Sequence, residues 1–229
     1  MKTAIKQLSL ILLILVFYVY ACKQAPHYVY PQDDNISDGS GIAKKRHINY
    51  FPIEAPANPK ADVPYDTFHL KLYSKVLFQL GEPILYNYYI GKPLIRLTWI
   101  RPSGYPMTLT VEEINGKMQL KENGFAPLTA SDKTRHPKDT CSRIYRAKVL
   151  NFEQKQQLVD LLKKSKFFDM PTHLEEKPNA GTELAVEFHD PTNYHVVYRS
   201  VGDTIQPNSF RDICNFIIGL SNFKTEKRY

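Results

Sequence analysis

Phe68, Leu72, Val76 and Leu80 fall four residues apart, with Tyr73 and Leu77 beside them. That spacing lays one apolar stripe along a helix of about four turns. Gly81 stops the helix and Pro83 prevents its resumption. The period then drops from four to two. Ile95, Leu97, Trp99 and Arg101 share one face of a strand over 94–101, and 107–113 and 117–121 read as two more strands. Asn115-Gly116 between them is the dipeptide a two-residue hairpin turn requires. Residues 122–140 show no period and read as a loop, and 142–150 is strand-like again. Asn151-Phe152-Glu153-Gln154 has the form of a capping box. It opens an amphipathic helix carrying Phe152, Leu158, Val159, Leu161 and Leu162, which ends near residue 165. A hairpin over 182–189 and 194–201 follows, and Phe210, Ile213, Cys214, Ile217 and Leu220 mark a last helix. Sequential hairpins predict an α+β fold: an antiparallel sheet of about five to six strands, with three helices packed mainly on one face.

The N-terminus breaks this pattern. Lys2 and Lys6 precede a run over 8–19 that is apolar apart from Ser9 and Tyr18, and Val19-Tyr20-Ala21-Cys22 follows. The run is short for a membrane span and has the length of a signal-peptide core. An aliphatic residue three before Cys22 and alanine just before it suit cleavage at a lipid-modified cysteine, although Tyr20 is larger than usual there. The alternatives are a plain membrane anchor, or a secretory signal cut elsewhere. Acyl chains on Cys22 would anchor an otherwise soluble chain to a membrane. Lys23 is not the aspartate that retains lipoproteins in the inner membrane, so the expected location is the cell envelope, at the periplasmic face of the outer membrane. The organisation read from the chain is a signal over 1–21, a proline-rich tether over 22–65 and one α+β domain over 66–229. Pro26, Pro31, Pro52, Pro56, Pro59 and Pro64 and the polar stretch 33–41 define the tether. Tyr28, Tyr30 and Tyr50 hint that parts of it dock.

Loss of Lys2 and Lys6 with the signal lowers the formal charge from +7 to about +5. The positive residues are dispersed rather than gathered on one face with aromatics, which argues against a nucleic-acid partner. Two cysteines remain, Cys141 at the start of a strand and Cys214 on the apolar side of a helix. They either bridge, as an oxidising compartment permits, or stay as buried free thiols.

Candidate chemistry is sparse. If the turn between the two strands holds five residues, His189 faces His195, with Glu187 and Arg199 nearby on an exposed polar face. Two imidazoles and a carboxylate are a weak candidate metal set, set against a solvated face with a Glu187–Arg199 pair. Arg101 follows Trp99 on an apolar strand face, where a guanidinium needs a carboxylate or an anionic ligand. Arg101, Arg199 and Trp99 are therefore the candidate partner contacts, against ordinary pairing with Glu82, Glu112 or Asp169. Glu112-Glu113 and Glu175-Glu176 are adjacent, so on a strand each pair points to opposite faces. No nucleophile motif or phosphate-cradling glycine loop is present, and no cofactor is expected.

Several blocks carry a resemblance: Leu72-Tyr73-Ser74-Lys75, Gly81-Glu82-Pro83, Arg96-Leu97-Thr98-Trp99-Ile100-Arg101, Phe167-Phe168-Asp169-Met170-Pro171-Thr172 and Tyr194-His195-Val196-Val197-Tyr198-Arg199. In this order they resemble a family of uncharacterised bacterial lipoproteins, over roughly residues 66–223. A glycine-rich segment of that family is absent, with Asn123-Gly124-Phe125-Ala126-Pro127 and a longer basic loop in its place, and a Gly-Leu-Asp-Gly-x-x-Trp segment is reduced to Asn179-Ala180-Gly181-Thr182-Glu183-Leu184. The resemblance implies a fold unit and a lipid anchor, and no reaction. The expected function is a non-catalytic binding module for an envelope protein, an immunity-type role being one form. An exposed sheet edge or the basic loop from Lys133 to Lys138 would make the contact. The alternative is a periplasmic hydrolase acting on cell-wall or glycan material.

Overall fold

The computed structural model describes residues 33–52, 67–87, 91–101, 105–128, 141–172, 182–191, 193–200 and 208–224. Cys22, the signal and the Lys133–Lys138 loop lie outside these residues. Helix α1 spans Thr67–Gln79, strands β1–β4 span Leu94–Ile100, Met107–Ile114, Lys117–Pro127 and Cys141–Val149, and helix α2 spans Phe152–Lys164. Strands β5 (Glu183–His189) and β6 (Tyr194–Ser200) and helix α3 (Asn208–Leu220) complete the order. All six strands join one antiparallel sheet in the order β4-β3-β2-β1-β5-β6. The fold is α+β. No helix among the described residues is long and apolar enough to cross a membrane.

Strand alternation divides the sheet into two dissimilar faces. Ile95, Leu97, Trp99, Leu109, Val111, Leu184, Val186 and Val197 point to one face, where they pack with Leu158 and Leu162 of α2 and with Phe210, Ile213, Cys214 and Ile217 of α3. The other face carries Ala185, Val196 and Tyr198, which pack against Leu70, Tyr73 and Leu77 of α1. Two helices therefore cover one face and α1 covers part of the other. Phe68 and Phe152, counted in the helical stripes, are exposed at the helix starts.

Part of the stretch read as a tether is folded onto the domain. Within 33–52, Ala43, Tyr50 and Phe51 join the core beneath α1, and Phe51 meets Tyr73 edge-on with ring centroids 5.9 Å apart. The Tyr50 amide donates to Ser74 Oγ at 2.9 Å, and Asn87 Nδ2 donates to Ser37 Oγ at 2.8 Å. Burial of these three residues and the hydrogen bonds to Ser74 and Asn87 together work against the ordering entropy of a polar, turn-rich segment.

Two strands differ from the sequence reading. β3 runs on through Pro127 although Glu122, Asn123 and Gly124 are poor strand formers. Tertiary bonds hold them there. Glu122 accepts from the Asn222 amide at 2.8 Å, and Gly124 lies so close to Met107 that an added Cβ would sit 2.5 Å from the Met107 Cβ. In the β5–β6 hairpin, His189 pairs with Tyr194 and Phe188 with His195. The expected pairing of His189 with His195 is thus off by one residue, and a one-residue slip sends side chains to the opposite face. Asp190 fixes the turn, because its Oδ1 accepts from the Asn193 amide at 2.7 Å.

Candidate functional site

The end of α1 builds the most polar feature of the sheet. Gly81, at φ 62°, lets the chain turn back so that its amide bonds Phe78 O and the Glu82 amide bonds Leu77 O at 3.0 Å. This left-handed helix stop drops Glu82 onto the sheet. Its Oε1 accepts from Thr108 Oγ1 and Asn123 Nδ2, both at 2.6 Å, while Oε2 has the longer 3.6 Å approach of Arg96 Nη1. Arg96 sits directly opposite Glu187 in the β1–β5 register, and both are fully buried. Arg96 Nε and Nη2 reach Glu187 Oε2 at 2.7 and 2.6 Å, Pro83 O accepts from Nη1, and Tyr194 donates to Glu187 Oε1 at 2.9 Å. Burial pushes the Glu187 carboxyl up, against the pull of Arg96. The guanidinium stays charged, because the opposing effect of its own burial is outweighed by Glu187 and Glu82.

Next to this network lies a half-open cleft of about 400 Å³. Arg96, Thr110 and Asn123 form its floor with Glu82. Glu112 lines its wall between Lys92 (3.1 Å) and Lys121 (2.5 Å). Burial pushes the Glu112 carboxyl up, but hydrogen bonds and charge from the two lysines outweigh it and hold it below the usual carboxylate value. Tyr145 stands at the rim, two-thirds exposed, opposite Asn123 in the β3–β4 register.

The two edges of the sheet differ. At β6 the Tyr198 amide donates to Thr172 O at 2.9 Å, and Arg199 donates to Pro171 O and Thr172 O. A segment of chain therefore lies along that edge. At β4, among the described residues, no strand pairs beyond it. β4 is nine residues long, largely exposed, and carries Arg143, Arg146 and Lys148 with no acidic residue.

The residues singled out from sequence have other places. Trp99 is fully buried in the core, so it is no surface contact. Arg101 is buried too, donating to the carbonyls of Tyr105 and Phe125 and lying over the Trp99 and Phe223 rings. Arg199, equally buried, clamps the chain along β6 and lies over Phe210. Strand alternation turns all three toward the face roofed by α2 and α3, so they serve packing. The weak metal set is not assembled: His189 and Glu187 point to the α1 face, while His195 points to the other and contacts Phe167 O at 3.0 Å. No metal-type cluster occurs among the described residues. Cys141 and Cys214 are free thiols, one at the β4 edge and one buried in α3, where burial raises its pKa above the normal range.

No family model, curated protein or solved structure matches this chain. The short motifs noted above therefore assign it to no family. They do have structural roles: Gly81-Glu82-Pro83 and Arg96 build the cleft, and Tyr198-Arg199 holds the covered edge. Sequence reasoning passed over Arg96, Lys121, Asn123 and Tyr145. The signal was there in the alternation, since Thr108, Thr110 and Glu112 share a face with Gln119, Lys121 and Asn123 across a tight hairpin.

Proposed function

We propose that this chain is a lipid-anchored protein of the cell envelope, acylated at Cys22, and a non-catalytic module that captures a protein partner by strand addition along β4. The observation that carries the reading is the asymmetry of the edges among the described residues, where chain lies along β6 and no strand pairs beyond β4. Open edges present rows of unpaired backbone donors and acceptors and are templates for another strand. The three cations of β4 fit an extended segment rich in carboxylates. They disfavour pairing with a second β4, which would bring like charges opposite one another.

The rival hydrolase reading has less support. A general acid needs a carboxyl with a raised pKa facing its substrate. Glu112 faces the cleft but is held ionised between lysines, and Glu187, which burial raises, has both oxygens engaged behind the cleft.

A photo-crosslinking amino acid placed at Arg146, on the open edge, should join the full chain to one discrete partner in intact cells. The same probe at Asn193, on the far side of the sheet, should not. Reversing charge with Arg146→Glu and Lys148→Glu should lower partner recovery at least tenfold. Equal yields at both positions, or recovery indifferent to charge reversal, would reject strand addition at β4.

A further inference from the structure

We infer that the cleft beside Glu82 and Glu112 is a binding site for a neutral pyranose saccharide. Its chemistry selects against charged ligands of either sign. An anion would meet the carboxylates of Glu82 and Glu112, and a cation would meet Lys92, Lys121 and Arg96. What the lining offers is an interleaved set of donors and acceptors. Lys121 gives one of its three N–H groups to Glu112, which leaves two for a ligand. Glu82 commits Oε1 to Thr108 and Asn123 and retains acceptor capacity on Oε2. Thr110 adds a hydroxyl on the floor. Sugar hydroxyls both donate and accept, so a ring of them is satisfied by this mixture where a singly charged group is not.

The rim supplies the other half of the recognition. A pyranose has an apolar C–H face, and Tyr145 presents a ring that is 66% exposed at the mouth. Its register opposite Asn123 places it beside the residue that orients Glu82. Aromatic rings gain from covering apolar surface while their hydroxyl stays wet. The volume, about 400 Å³, falls within the range of small-ligand sites. The site is also preorganised, because Arg143 and Asn123 both donate to Leu80 O and so fix the helix stop that carries Glu82.

Saturation-transfer NMR on the full chain, in micelles of a sugar-free detergent, tests this. The probes are chitotriose and maltotriose, with trigalacturonate as the charged counterpart. Transfer to ring C–H protons of at least one neutral trisaccharide is expected, with trigalacturonate bound at least tenfold more weakly. Tyr145→Ala and Lys121→Met should each raise Kd at least tenfold while the thermal melt stays within a few degrees. Transfer to neither neutral probe overturns the proposal, as does equal affinity in both variants or tighter binding of trigalacturonate. Arg146 and Lys148 project from the opposite face of β4, so Arg146→Glu with Lys148→Glu should leave saccharide binding unchanged. That variant separates failure of this site from failure of the edge.

Discussion

Arg96 is surrounded by compensating groups: the Glu187 carboxylate, the Pro83 carbonyl and, farther off, Glu82. A buried pair of this kind is costly to break and cheap to replace whole. Arg96→Met should therefore destabilise the chain by roughly 3–5 kcal/mol in urea denaturation, by leaving Glu187 buried without its cation. Adding Glu187→Leu to Arg96→Met should return a large share of that loss. A double variant as unstable as the single one would show that the pair contributes through packing rather than charge. From sequence, Arg96 was visible only as one member of a strand, because its partners lie 91 and 14 residues away. Arg101 drew attention instead, since it follows an apolar alternation. Its neighbours turned out to be carbonyls, and no pattern in the chain announces which carbonyls will face a guanidinium.

At the scale of elements, local chemistry was the better guide. Asn151 accepts from the Gln154 amide at 2.8 Å, and the Gln154 side chain accepts from the Asn151 amide at 3.0 Å, as the capping-box pattern predicts. Asn151→Ala should cost about 1 kcal/mol and lower the thermal midpoint by a few degrees. An unchanged midpoint would mean that packing of Leu158 and Leu162 alone sets the start of α2. Asn115-Gly116 likewise forms the expected turn, both residues having positive φ. What local chemistry does not encode is register and extent. β5–β6 slipped by one residue because both its faces are buried, so an apolar count cannot choose between them. β3 gained residues 122–127 through bonds to Asn222, Leu80 and Glu82, which become neighbours only after folding.

Over the whole molecule, buried imidazoles give folding a defined acid limit. Burial pushes His195 down to about 4, with Phe167 O opposing that shift and Arg199 reinforcing it. An unfolded imidazole titrates near 6.5. The folded pKa is the lower one, so stability is full above about 6.5, falls as pH drops through the interval, and reaches its floor below about 4. The loss should be roughly 3–4 kcal/mol, read as the urea midpoint against pH. His195→Gln should flatten that interval. A steep fall persisting in the variant would place it elsewhere, with His189, also lowered by burial, the next group to replace. Glu112 is lowered as well, and its contribution is lost only as pH falls through its depressed carboxylate value. The docking of residues 33–52 has a consequence of reach. Chain bound into the domain is not leash. From Cys22 to Asp33, the first described residue, there are eleven steps of sequence. At about 3.5 Å each, even a taut chain extends no more than roughly 40 Å. With acyl chains on Cys22, the domain would work within about its own diameter of the lipid headgroups, and a partner would have to come to the membrane to meet it.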